Sequence, residues 1–330
     1  MNLNAVARLA GVSTATVSRV LNNSGTVTPR TRARVLKAAA ELNYYPNLHA
    51  RSLAGGKSRT LGVIVSNIEN PFFLDIYQAV ETGAEARGYE VVVANTDYRP
   101  DQLTARIRLM IGRRVSGLAV IVSEMDPALI EDLSSSGIPV VFYDVGAPRR
   151  NITNVKVNYR RGIEKMVEYL HGMGHRKLGF LGHHAMLAPL NERMRAVLDA
   201  VESRAGQMEV QTSAGADTLE GGRQAARALL ATGYRPTAIV CVNDFMAIGA
   251  LRELREQGIR VPRDISVTGF DNINLSEFCF PALTTIHIPR ERIGQTICDC
   301  LIAREGDSPG NREITIDPEL VVRDSTGPRR

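Results

Sequence analysis

The sequence predicts a small all-α helix-turn-helix head joined by a linker to an α/β core of two parallel-sheet lobes. Three observations carry this. The chain has 330 residues, too many for one compact core and enough for a small module plus one large or two medium domains. Its positive charge is concentrated at the front. From Leu61 onward, short apolar runs alternate with amphipathic stretches, the pattern of parallel strands covered by helices. Hydrophobic residues at 44% and charged residues at 23% exclude a disordered chain, a collagen-like repeat or a coiled-coil rod.

The head is the basic part. Residues 1–58 hold eight bases (Arg8, Arg19, Arg30, Arg32, Arg34, Lys37, Arg51 and Lys57) against the single acid Glu41, a balance of +7, which leaves −2 for the rest of a chain whose net charge is +5. A basic head on a near-neutral body suits a polyanion, because neutralising phosphates releases counterions. NAVARLA carries Val6, Ala7, Leu9 and Ala10 at helical spacing, and Gly11 follows where a left-handed residue ends a helix. Ser13 then stands as a cap before TATVSRVLN, in which Val17, Val20 and Leu21 form the apolar face. Helix, glycine turn, helix is the helix-turn-helix plan. It leaves Thr14, Ala15, Thr16, Ser18, Arg19, Asn22 and Asn23 for the outer side of the second helix and the turn after it. Hydroxyls and amides reach phosphates there, and an arginine early in such a helix bonds bidentately to guanine. Thr28-Pro29 opens a third helix with Val35, Leu36, Ala39 and Leu42 as its stripe. Between Pro46 and Arg59 the stretch PNLHARSLAGGKSR ends in a Gly55-Gly56 break. As a peptide, Asn47 to Ala54 is too short for a stable helix, so it needs outside support.

The run VARLAGVSTATVSRVLNN, then VTPRTRARVLKAAAELNYYPN, then ARSL resembles the DNA-binding head of the lactose-repressor (LacI/GalR) family of bacterial transcription regulators. The departures, Ala5 and the set Pro29, Arg30 and Ala33 where relatives often carry acids, make this head more positive. The resemblance implies a domain at 1–46, a hinge helix and linker at 47–58, and a core at 59–330. It also implies that Ser13 belongs to the DNA-contacting set. In the hinge it implies that Ala50 lies at the DNA and that Leu53 wedges into the minor groove, where unstacking one base step allows a bend.

In the body, LGVIV, EVVVA, GLAVIV and PVVFY read as strands of a first lobe, with helices near 72–87, 100–114 and 127–136. KLGFLG, MEVQT, TAIVCV and ISVTGF read as strands of a second, with helices near 159–173, 190–204, 218–232 and 244–257. The tail adds a helix after Pro289 and strand-like EITI and LVVR, which cross back between the lobes. Such sheets bind ligands at the carboxyl ends of their strands. The residues there are Ser66, Asn67, Asn70, Phe72, Phe73, Asp144, Asn243, Asp244, Asp271 and Asn272, a polar set beside two aromatic rings that suits a hydroxyl-rich small molecule. Each taken singly is more often a cap or turn residue.

SNIENPFF, NDFMAIGAL, VPRDISVTGFDN and PALTTIH resemble the regulatory core of the same family, so the likeness spans essentially the whole chain. It implies the type I periplasmic-binding-protein fold, with lobe 1 at approximately 59–156 plus 288–315 and lobe 2 at approximately 157–287 plus 316–326. It picks Phe72, Phe73, Asp144, Arg193, Asn243 and Asp271 as effector contacts. HHAMLAPL at 183–190 departs toward a less polar pocket than a plain sugar site.

Enzymatic readings find little support, since the chain has no G-x-x-x-x-G-K-[ST] loop, no G-x-G-x-x-G after a strand and no G-x-S-x-G elbow. No cofactor is expected. His171, His175, His183 and His184 are spread over a helix end, a strand and a loop, so no metal site is expected either. Cys241, Cys279, Cys298 and Cys300 form no zinc or disulfide framework. Polar Asn2 and Asn4 stand where a signal peptide would be basic, and no window is apolar enough to span a bilayer. The expectation is a cytoplasmic, homodimeric, sequence-specific repressor. Its partners would be a pseudo-palindromic double-stranded DNA operator and a sugar or nucleobase-like effector, with no membrane. The competing class is a solute-binding protein of a transport system, which has no use for the basic head.

Overall fold

The structure is a computed structural model that describes residues 2–21, 25–44, 58–184, 187–204, 206–302 and 312–329. It divides into two compact units, residues 1–58 and 59–330. The expectations for Asn22, Asn23, Ala50, Leu53 and the hinge helix lie outside the described residues.

The head holds three helices, α1 (Leu3–Ala10), α2 (Thr14–Leu21) and α3 (Pro29–Glu41). The Asn2 side chain accepts from the Ala5 amide at 3.1 Å and caps α1. Gly11 ends α1 at φ +59°, a conformation costly to any residue with a Cβ. Ser13 Oγ accepts from the Thr16 amide at 3.2 Å, and Thr28 Oγ1 accepts from Thr31 ahead of Pro29. Val6, Ala7, Ala10, Val17, Val20, Val35, Ala38 and Ala39 form the core. Leu9 and Leu36, expected on the apolar stripes, are instead 51% and 49% exposed. The helical phase explains both: 6, 7 and 10 share one face of α1, and 35, 38, 39 and 42 share one face of α3, which turns their neighbours outward. The Arg34 guanidinium reaches the Ala10 and Gly11 carbonyls and covers the end of α1.

In the core unit, lobe 1 is a six-stranded parallel sheet in the order β11-β5-β4-β3-β1-β2. Its strands are β1 (Thr60–Val65), β2 (Glu90–Asn95), β3 (Gly117–Ile121), β4 (Val140–Tyr143), β5 (Ile152–Val157) and β11 (Arg312–Ile316). The flanking helices are α4 (Pro71–Glu85), α5 (Pro100–Gly112), α6 (Pro127–Ser135) and α12 (Arg290–Leu301). Lobe 2 is a four-stranded parallel sheet, β7-β6-β8-β9, made of β6 (Lys177–His183), β7 (Glu209–Gly215), β8 (Ala238–Cys241) and β9 (Ser266–Thr268). Around it lie α7 (Tyr159–Gly172), α8 (Ala188–Glu202), α9 (Leu219–Ala231), α10 (Asp244–Glu256) and the short α11 (Leu275–Phe278). A separate antiparallel pair joins β10 (Thr285–His287) to β12 (Glu319–Val321).

Burial on both faces explains the continuous apolar runs: Leu61, Val63, Ile64 and Val65 are all buried. The chain passes between the lobes three times, from β5 to α7, from β10 to α12 and from β11 to β12. The tail therefore divides, β11 completing the first sheet beside β5 and β12 pairing in the second lobe. Two strands, β5 and the short β10, go beyond the sequence-based expectation; in β5 the polar Thr153 and Asn154 break the apolar run, yet both are buried between neighbouring strands. Close packing of α9 on α10 needs Gly222 and Gly249, whose added Cβ atoms would stand 2.1 and 1.9 Å from the Met246 and Leu219 carbonyl oxygens. Among the described residues, no helix is long and apolar enough to cross a membrane.

Candidate DNA interface and effector cleft

On the head, Val17 and Val20 bury one face of α2 and turn the opposite face outward. Ser13, Thr14, Ala15 and Arg19 are exposed, while Thr16 and Ser18 are half-buried. Arg8, Arg30, Arg34 and Lys37 are also exposed, so the small unit presents a cationic surface. The exposed Lys37–Glu41 contact at 3.9 Å contributes little to stability.

In the core unit, the strand ends of both lobes face a narrow cavity of about 20 Å³. Phe72, Phe73, Arg193, Asn243 and Asp271 line it, together with Asn70, Tyr98, Ser123, Tyr143, Tyr159, Pro189, Leu190 and Asp217. Asn70 caps α4 by accepting from the Phe72 amide at 3.1 Å, which plants the two phenylalanines at the cleft. Their rings meet edge to face at 5.4 Å, and Phe72 continues to Tyr143 at 5.8 Å. Asn243 caps α10 in the same way, its side chain accepting from the Met246 amide at 2.9 Å.

Arg193 is the cation of the cleft. It is 5% exposed, and its guanidinium carbon lies 4.5 Å from the Tyr159 ring centroid and 4.4 Å from that of Phe270. It donates to the Val242 carbonyl at 2.9 Å, to the Tyr159 hydroxyl at 3.3 Å and to Asp271 Oδ1 at 3.4 Å. Its Nε, also buried, has no hydrogen-bond partner. Asp271 stands at φ +111° and is held from behind by Arg290, which donates to the Asp271 and Asn272 backbone carbonyls and pairs with Asp75 at 2.9 Å. Burial pushes the Asp271 carboxyl well above the usual range, and Arg193 draws it back.

Asp144 sits one layer behind the lining. At φ +64°, it accepts from the Tyr159 hydroxyl and, at 2.8 Å, from the Val157 amide. Burial pushes its pKa up to about 6, against the downward pull of those bonds and of Arg193. Asp244 points away from the cleft, bonded to Ile273, Ser276 and Thr285 within lobe 2. Asn272 likewise serves the fold through His287 and Arg323. Ser66 donates to the buried Glu124 at 2.7 Å.

Tyr98 and Asp217 are cleft residues absent from the sequence-based set. They follow β2 and β7 just as Asp144 follows β4, so applying the strand-end rule to every strand would have found them. Among the described residues, no three His, Cys, Asp or Glu side chains are grouped to hold a metal. His175 bonds Thr237 and the Gly327 carbonyl.

Two α/β lobes around a polar cavity, on one chain with a cationic helix-turn-helix unit, define a ligand-responsive DNA-binding regulator. The family model for bacterial regulatory proteins of the lacI family matches residues 2–47, and that for the periplasmic binding protein-like domain matches residues 167–326. The chain is 35% identical over 323 residues to the HTH-type transcriptional repressor PurR of Photobacterium profundum, covering 97% of each. Among solved structures, it is similar to the Lac repressor dimer bound to operator and the anti-inducer ONPF (TM-score 0.84, 29% identity, 99% of both chains). It is also similar to the complex of transcriptional regulator CelR with cellobiose (TM-score 0.72, 28% identity, 98% of this chain and 99% of that one). The chain belongs to the lacI family of bacterial regulatory proteins. It is a ligand-responsive, DNA-binding transcriptional repressor and not an enzyme; the transport solute-binding reading is not favoured.

Proposed function

We propose that a small polar effector, a sugar or nucleobase-like molecule, binds between the lobes and controls how a homodimer of this protein grips a pseudo-palindromic operator. The buried Arg193 carries this reading. A desolvated cation with one free N–H, stacked between rings and paired to an acid, is costly to maintain and suited to orienting a ligand. Arg193, Asp271 and Asn243 bond the effector, Phe72 and Phe73 wall its apolar side, and Asp144 steadies Tyr159 at its edge. The leucine and proline from the 183–190 stretch favour a flat or partly apolar ligand over a fully hydroxylated one.

In the head, Thr14, Ala15 and Arg19 read base edges while Ser13, Thr16, Ser18, Asn22 and Asn23 hold phosphates. Ala50 lies against the minor groove, and Leu53 wedges it open. The domains are 1–46, 47–58 and 59–330, a partition that the break at residues 58 and 59 supports. Within the core, lobe 1 takes approximately 59–156 plus 288–315 and lobe 2 approximately 157–287 plus 316–326. The same reading assigns the protein to the bacterial cytoplasm and, when operator-bound, to the nucleoid. Support for the dimer comes from Phe278 and Phe280, which are 81% and 89% exposed beside Leu275 at 45%.

The test is selection of bound duplexes from a random library at fixed salt, with and without a panel of sugars and nucleobases. A palindromic consensus whose recovery one ligand shifts is the expected result, and Arg193→Ala should keep the consensus while losing the shift. Recovery without sequence preference would overturn the operator reading. An unchanged ligand response in Arg193→Ala would remove the arginine from the effector site.

A further inference from the structure

Asp217 belongs to lobe 2, in the loop between β7 and α9, yet most of its partners belong to lobe 1. Asn70 Nδ2 donates to Asp217 Oδ2 at 3.1 Å, and the Tyr98 hydroxyl donates to the same oxygen. Asn67 Nδ2 donates to the Asp217 backbone carbonyl at 3.3 Å. From lobe 2 itself, Asn243 Nδ2 donates to Oδ1 at 2.5 Å. Asp217 is 4% exposed and lines the effector cavity.

The donors are committed in advance. Each asparagine spends its amide oxygen on a local backbone N–H: Asn67 on Glu69 at 2.9 Å, Asn70 on Phe72 at 3.1 Å and Asn243 on Met246 at 2.9 Å. That fixes which way each amide faces and leaves three NH₂ groups pointing at Asp217. Burial, together with the negative charge of Asp217, raises the Tyr98 pKa well above its ordinary value, so its hydroxyl keeps its proton and donates. Both carboxylate oxygens are thereby satisfied by charge-assisted bonds in a closed space.

We propose that Asp217 is an interlobe latch: its carboxylate takes the acceptor position among Asn70, Tyr98 and Asn243 for which an effector competes, and so holds the two lobes together. This rests on the reading of the cleft as the effector site. It specifies that site further. A ligand that replaces the latch brings an acceptor oxygen or ring nitrogen to Asn70, Tyr98 and Asn243, while Arg193 and Asp271 take the rest of it. The latch also sets a threshold, because ligand binding must first displace bonds that the protein makes with itself.

The test uses the whole 330-residue chain with no ligand added. Hydrogen–deuterium exchange is followed at the two lips of the cleft, residues 66–72 and 215–221, in wild type, Asp217→Ala and Tyr98→Phe. Loss of the cross-cleft bonds should speed exchange at both lips by about tenfold in Asp217→Ala and by less in Tyr98→Phe. Strands β1 and β6 should stay as protected as in the wild type. Lips as slow to exchange as the wild type in both variants would overturn the latch. Should Asp217→Ala lose protection in β1 and β6 as well, Tyr98→Phe decides alone, since it removes a single hydroxyl. Ligand selection on the wild-type protein tests the effector reading separately, so a failed latch with a retained ligand response, or the reverse, identifies which of the two is wrong.

Discussion

At the scale of single residues, the cleft is a set of polar groups that are expensive to bury and mutually dependent. Asp144 shows how that cost depends on pH. Its folded pKa of about 6 lies above the ordinary 3.8, so the folded state holds the proton more tightly than the unfolded chain does. The stability this contributes is complete below the unfolded pKa and is lost as pH rises from about 4 through 6, roughly 2 to 3 kcal/mol for a shift of this size. Asp144→Asn removes the ionisation while suiting the left-handed backbone at φ +64°. The expected outcome is a melting temperature that falls less between pH 4 and 7 than in the wild type, read by thermal denaturation across a buffer series. Equal slopes in the two proteins would place the titration elsewhere. The asparagines teach a related lesson. Asn70 and Asn243 were legible as helix caps or as ligand contacts, and the structure makes each of them both a cap and a cleft donor, one amide atom serving each role.

At the scale of elements, capping and periodicity decide where each helix begins and ends. The α1–α2 turn depends on Gly11, whose φ is +59° and whose added Cβ would meet the Arg34 guanidinium at 2.8 Å. Gly11→Ala should therefore destabilise the head by about 1 kcal/mol or more through backbone strain and a displaced Arg34. Two readouts check this: head amides should exchange faster while core amides do not, and operator affinity should fall with the head's folded fraction. Unchanged head protection would show that the turn tolerates a side chain. Helix and strand positions in the core were legible because their runs are apolar and their ends are punctuated by Asn-Pro, Asp and Gly. The strand β5 was not, since Thr153 and Asn154 carry no apolar signal and become core only when β4 and β11 flank them. Arg290 was equally silent in the sequence, although from α12 it ties the Asp271 loop of lobe 2 to Asp75 on α4 of lobe 1.

At the scale of the whole molecule, the proposed function has a cleft on one unit regulate a DNA reader on another. Such coupling is reciprocal: an effector that weakens operator binding is itself bound less tightly by the operator complex. The proposed dimer adds a requirement, because two half-sites are gripped only while two chains stay together. Phe278→Glu should convert dimer to monomer in sedimentation analysis and weaken operator binding more than it weakens binding to a single half-site. A dimer that survives the charge would move the interface off α11.

By itself the sequence determined the basic helix-turn-helix head, the alternation of strands and helices, the two lobes and the line of strand ends that border the cleft. All of these follow from local signals: charge per segment, period, caps and turns. Only the tertiary structure decided which polar groups meet in the cleft. Asp217 lies 147 residues from Asn70 and 119 from Tyr98, and no local pattern encodes a partner at that distance. It also turned Asp244 inward to lobe 2 and set Asp144 behind Tyr159. The physical reason is common to all three: a buried polar side chain takes its role from the donors that folding brings to it, and those arrive from distant parts of the chain.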